Sequence, residues 1–132
     1  MLSRALLGLI GLFHLANGLA MIGDAHAWYE ATPGVSQTGP MNHHFIVDIG
    51  LVLVASGAGM LAGLRAGRTA AILTLAGATW PALHALFHIS EWFADGFPRD
   101  PVVAATNALG VVFVGLLGLA LAFWQARKEG AV

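Results

Sequence analysis

The chain of 132 residues contains no cysteine, and only 10% of its residues are charged. The lack of cysteine excludes disulfide bonds, thiolate zinc sites, iron–sulfur clusters and covalently attached c-type haem. The shortage of charge excludes an ordinary soluble domain, in which about 25% of residues are charged. We expect no nucleic-acid partner, because the formal net charge is −1 and only six residues are lysine or arginine.

Apolar residues are abundant instead. Hydrophobic residues make up 58% of the chain, which is more than a soluble domain of this size can hide from water. A membrane-spanning helix needs about 20 mostly apolar residues, and four segments meet this requirement. We therefore predict an all-α, integral membrane four-helix bundle that forms a single domain over residues 1–132. Its helices are expected at about 4–23, 44–64, 69–93 and 102–126, with an outer loop at 24–43.

The basic residues predict the orientation of this bundle. All but Arg99 lie at the two termini and in the second connection, which share one side of an antiparallel, up-and-down bundle. These residues are Arg4, Arg65, Arg68, Arg127 and Lys128. The positive-inside rule places that side, with both termini, in the cytoplasm. The chain is then a multi-pass protein of a bacterial inner membrane, with its acidic side facing the periplasm.

The first predicted helix has a competing interpretation as a signal peptide. Arg4, an apolar stretch and the sequence Ala25-His26-Ala27 resemble a signal peptide with its A-x-A cleavage site. The apolar stretch runs for about 18 residues, however, whereas the hydrophobic region of a signal peptide has about 7–15. We therefore expect residues 4–23 to remain in the protein as a helix.

A polar stripe ends the third predicted helix. His84, His88 and Glu91 fall within a stripe about 60° wide when a helix turns about 100° per residue. The second predicted helix begins with an aligned pair, because His44 and Asp48 are four residues apart on one face. A short turn joins the two helices, so we expect both sets to meet in the outer half of the membrane.

These five side chains form a donor set typical of a transition-metal site. Imidazole suits zinc, copper and iron, and a carboxylate adds a ligand that neutralises charge. Ionisable groups below the membrane interface are costly and mark functional sites by default. We predict that His44, His84 and His88 bind copper, zinc or iron, with Asp48 or Glu91 as the anionic ligand. An open coordination position would make such a site catalytic.

Two alternatives stay open. A b-type cytochrome would hold haem between histidines on different helices, and His14, His44 and His84 lie on three of the predicted helices. An accessory subunit would instead pack within a larger membrane complex, or against copies of itself, through ridges of small residues. In that case the histidine–carboxylate pairs only fix helix packing.

The stretch WYEATPGVSQTGPMNHHFIVDIG, residues 28–50, resembles a segment of small bacterial inner-membrane proteins of no known activity. In size and four-helix layout alone, the chain also resembles DoxX-like proteins. The first resemblance covers about a sixth of the chain. It implies a bacterial source, and neither resemblance implies a role for any residue.

Overall fold

The computed structural model describes residues 2–132, and every regular element within them is helical. Four helices are long and apolar enough to cross a membrane, which confirms the predicted all-helical, four-span layout by length and composition. They are α1 (Leu2–Gly23), α3 (His43–Ala62), α4 (Arg68–Asp95) and the fourth span (Pro101–Lys128). Helices α3 and α4 correspond to the second and third predicted helices, and their bounds differ from the predicted ones by two residues or fewer.

The segment predicted as an outer loop contains helix of its own. Helix α2 (Ala25–Ala31) begins at Asp24, whose carboxylate accepts a hydrogen bond of 2.9 Å from the backbone N–H of Ala27. A single 3₁₀ turn (Val35–Gln37) follows after Gly34, which has a φ of +87°. A positive φ is accessible to glycine at no steric cost, so this glycine permits the chain to turn back towards α3.

The fourth span is not uniformly α-helical. It consists of α5 (Pro101–Ala105), a π-helical segment (Thr106–Phe113) and α6 (Val114–Lys128). Asp100 caps its start by accepting hydrogen bonds of 2.9 Å from the N–H groups of Val102 and Val103. The hydrophobic pattern of this span gives no sign of the π-helical segment.

Small residues bring α1 and α3 into close contact. A Cβ atom added to Gly18 would lie 2.5 Å from the carbonyl oxygen of Gly50, and one added to Gly57 would lie 2.6 Å from that of Gly11. Glycine is therefore required at these crossings, because any side chain would push the two backbones apart. Helix α3 packs next against α4, and α4 packs against the fourth span.

One end of the bundle is joined by polar contacts. Glu129 accepts a hydrogen bond of 2.6 Å from Arg4 and one of 2.8 Å from the backbone N–H of Gly67. Gln125 donates to the carbonyl oxygens of Gly63 and Arg65 at 3.1 and 3.3 Å. We call this end, which holds both chain termini and the 63–67 connection, the inner end. The outer end holds the connections at 24–42 and 96–100.

Candidate functional site

A cavity of about 540 Å³ lies in the outer half of the bundle. Its walls come from α1, α4 and the π-helical segment, with Ile49 and Leu53 of α3 on a further side. Residues 32–38 cover it at the outer end, and Trp28 of α2 adds an indole ring. The walls are mostly apolar, and the volume is within the range of about 300–1,000 Å³ that is usual for small-molecule sites.

The histidines of α1 and α4 line this cavity together. His14 is 5% exposed, and its Nε2 atom has no hydrogen-bond partner among the described residues. The His84 ring stacks on Trp80, with the ring centroids 4.9 Å apart, and meets the ring of His88 edge-on at 4.7 Å. His88 Nδ1 lies 3.6 Å from a carboxylate oxygen of Glu91. The stripe predicted on the third helix therefore faces an interior space.

A second cavity of about 560 Å³ adjoins the first on the side of α3. It is lined by Asn42, the N-cap of α3, and by Phe45 in the first turn of that helix. It shares His84, His88 and Glu91 with the first cavity. The polar stripe of α4 thus borders both spaces.

Two amides add polar groups to the first cavity. The Oδ1 atom of Asn17 accepts a hydrogen bond of 2.8 Å from the indole N–H of Trp28. The Nδ2 atom of Asn107 donates to the carbonyl oxygen of Val103 at 3.1 Å. These bonds fix both side chains and leave Asn17 Nδ2 as a donor, and Asn107 Oδ1 as an acceptor, beside the cavity.

The structure does not bring His44 and Asp48 to this site. Their side chains are 89% and 54% exposed, and they pair with each other at 3.2 Å. Each is two residues from Ile46, which is 5% exposed. Two residues turn an α-helix by about 200°, so the burial of Ile46 directs both polar side chains to the opposite face of α3.

The predicted set of five metal ligands is therefore divided between two faces of the bundle. Among residues 2–132, no group of three or more histidine, aspartate or glutamate side chains is arranged so that it could hold a metal ion. Binding of a metal by His84, His88 and Glu91 stays a prediction, as does haem ligation by His14.

The π-helical segment is the part of the site that sequence reasoning missed. Thr106, Asn107, Gly110 and Val111 all line the cavity, and the apolar sequence around them does not mark them as part of a site. π-Helical insertions occur frequently at functional sites. A Cβ atom added to Gly110 would meet no other atom within 4 Å, so this glycine borders open space instead of a packed neighbour.

No protein-family model, no curated protein and no solved structure matches this chain. The resemblances to small bacterial membrane proteins and to DoxX-like proteins stay predictions. What the cavity does is therefore inferred from its own residues.

Proposed function

We propose that this chain is an integral protein of a bacterial inner membrane, with four antiparallel spans and both termini in the cytoplasm. The contacts between α1 and α3 support antiparallel neighbours, since Gly8 faces Leu64 whereas Gly18 faces Gly50. The concentration of basic residues at the inner end supports the orientation. Exposed apolar side chains such as Leu109, which is 62% exposed, are those that lipid would cover.

Within this bundle, the cavity of the outer half is a binding site for a small organic molecule. The observation that carries this proposal is a mostly apolar space of about 540 Å³ into which three separate spans bring polar side chains. Small-molecule sites combine apolar walls with a few placed polar groups in this way. The unpartnered Nε2 atom of His14 supports it further, because an unsatisfied buried polar atom costs about 1–3 kcal/mol.

A transition-metal ion is the second candidate, and the contacts between His84, His88 and Glu91 favour it. Two imidazoles and one carboxylate suit zinc, copper or iron. Because the described residues form no ready-made metal site, binding would require these side chains to rearrange. For a haem, no lysine or arginine among the described residues lines the cavity to pair with its two propionates.

The content of the purified protein tests the proposal. Wild-type protein and two variants would be purified in mild detergent, and each sample would be analysed by mass spectrometry of its organic extract, elemental analysis and visible spectroscopy. Gly110→Leu places a side chain in the open space beside the cavity. Ala105→Leu places the same leucine side chain at an exposed position of the same span and serves as the control.

We expect an organic molecule that co-purifies with the wild type and with Ala105→Leu, and is lost from Gly110→Leu. Identical extracts from all three proteins would overturn the proposed organic ligand. Two further variants, His88→Ala and Asn107→Ala, test the metal ion. Zinc, copper or non-haem iron that is lost from His88→Ala but kept in Asn107→Ala would establish a metal ion as the ligand instead of an organic molecule. Iron accompanied by a Soret band would establish haem.

A further inference from the structure

We propose that the cavity receives its ligand sideways from the bilayer, and that this ligand is an uncharged aromatic molecule bearing a hydroxyl or carbonyl oxygen. The inference rests on the proposed function, because it names the route and the chemical class of the molecule that the cavity binds. It is carried by three features of the site, which are its covered outer end, its open side and the chemistry of its walls.

The outer end of the cavity is covered by the chain itself. Residues 32–35, 37 and 38 line the cavity from the connection between α2 and α3. A Cβ atom added to Gly34 would lie 2.8 Å from a methyl group of Val103, so this segment touches the fourth span. The bond between Trp28 and Asn17 holds the start of the same connection against α1, and the Tyr29 hydroxyl donates to the Gly39 carbonyl oxygen at 2.6 Å. These contacts hold the connection over part of the outer end and narrow access from the water side.

The side of the cavity between α1 and the fourth span is open. Helix α1 packs against α6 near the inner end, where Leu7, Ile10 and Ala122 belong to one buried cluster. The π-helical segment packs against α4 but makes no comparable contact with α1. Phe13 on one rim of this gap is 46% exposed, and Gly110 on the other rim has open space beside it.

This opening lies at the depth of the hydrocarbon. Phe13 is ten residues from the outer end of α1 at Gly23, a rise of about 15 Å along an α-helix. Gly110 is nine residues from the start of the fourth span at Pro101, a rise of at most about 14 Å because part of this stretch is π-helical. The hydrocarbon core of a bilayer is about 30 Å thick, so both rims fall within it when the spans are centred in the bilayer. A molecule that enters there must be soluble in lipid.

The cavity walls favour an uncharged molecule. No lysine or arginine lines this cavity, so an anion would be buried without a partner, which is costly. Glu91 is the one acidic residue of the lining. Its side chain is 44% exposed and its carboxylate lies beside His88, so it is not a buried charge that requires a cation.

The same walls favour an aromatic ring that carries oxygen. Trp80 and Phe13 line the cavity, and aromatic side chains favour contact with another ring. A neutral imidazole has one N–H donor and one acceptor nitrogen, and His14 and His84 bring two imidazoles to the same space. A hydroxyl oxygen can donate to one ring and accept from another group such as Asn17, and a carbonyl oxygen can accept.

Three brominated probes test the chemical class, because bromine quenches tryptophan fluorescence on contact. The probes are 4-bromophenol, bromobenzene, which lacks the oxygen, and 4-bromobenzoate, which is an anion at neutral pH. The full chain in lipid nanodiscs would carry Trp92→Phe and Trp124→Phe. This background retains Trp28 and Trp80, and both of these residues line the cavity. Gly110→Leu and Ala105→Leu would be compared on that background.

We expect saturable quenching by 4-bromophenol, with half-saturation at a concentration about tenfold lower than for bromobenzene, because the buried imidazoles gain a partner. Gly110→Leu should abolish saturation and Ala105→Leu should preserve it. Saturation by 4-bromobenzoate alone would overturn the uncharged class while leaving the proposed function standing. Equal saturation in Gly110→Leu would overturn the location. An absence of saturation with all three probes would overturn the ligand class, and the organic extracts would then decide the proposed function separately.

Stopped-flow mixing tests the route. Phe13→Ala widens the rim that faces the lipid, and Val35→Ala shortens an apolar side chain of the covering segment. We expect several-fold faster association of 4-bromophenol with Phe13→Ala and an unchanged rate with Val35→Ala. The reverse result would place access at the outer end and overturn the sideways route.

Discussion

The inner and outer halves of the bundle are packed differently. At the inner end, Leu7, Met60 and Thr74 are fully buried. In the outer half α1 and α3 stay in close contact at Gly18 and Gly50, but α1 and the fourth span separate around a cavity of about 540 Å³. The boundary lies near Gly115, where an added Cβ atom would be 2.5 Å from the carbonyl oxygen of Pro81.

The buried polar groups of the two halves also differ in what surrounds them. Glu129 and the amide nitrogen of Gln125 bond to the chain itself and tie the inner end together. Among the described residues, Gln125 Oε1 at the inner end and His14 Nε2 in the outer half both lack a hydrogen-bond partner, but His14 lines the cavity whereas Gln125 does not. Polar side chains that hold a connection in place contribute to stability, whereas those that face an apolar space without a partner are available to a ligand. The contrast predicts that substitutions at the inner end act on folding and those at the outer end act on binding.

Gly57→Leu should have the largest effect, because a Cβ atom there would lie 2.6 Å from backbone atoms of Gly11 and Leu15. Overpacking of this kind costs about 1–3 kcal/mol, and we expect the upper end of that range or loss of the folded protein. Thermal unfolding in detergent, followed by circular dichroism, measures it. Gly110→Leu is the matched control, since a Cβ atom there meets nothing within 4 Å. Equal unfolding temperatures for the two variants would contradict the tight packing of α1 on α3.

Gln125→Leu should have an intermediate effect. It removes the hydrogen bonds to the carbonyl oxygens of Gly63 and Arg65 while conserving much of the side-chain volume. Loss of a buried partner costs about 1–3 kcal/mol, which denaturant unfolding would detect. Thr79→Val is the control, because its hydroxyl is exposed and bonds only to its own helix. If the two variants were equally stable, Gln125 would not hold the inner connection.

His44→Ala should have the smallest effect. Its pair with Asp48 is largely exposed, and exposed ion pairs contribute about 0–1 kcal/mol. We expect an unfolding midpoint close to that of the wild type and unchanged binding in the cavity. A loss of bound metal in this variant, measured by elemental analysis, would instead support the five-residue metal set predicted from the sequence.

Half of the candidate site could be predicted from the sequence. The spacing of His84, His88 and Glu91 places them on one face of a helix whatever the rest of the chain does. The partner helix was not predictable in the same way. His44 and Asp48 have an equally regular spacing, but the rotation of α3 about its own axis depends on which residues pack inward, and Ile46 does so.

The sequence by itself determined the four apolar helices and their approximate bounds, because the number and length of apolar stretches suffice to predict them. Only the tertiary structure decided which helices contribute to the site. It placed His14 of α1 opposite the stripe of α4, turned the His44 pair away, and introduced a π-helical segment beside the cavity. The physical reason is that local spacing is a property of one helix. The residues that line a cavity depend on the rotation and separation of several helices at once. Close packing elsewhere in the bundle fixes this rotation and separation along the whole length of each helix.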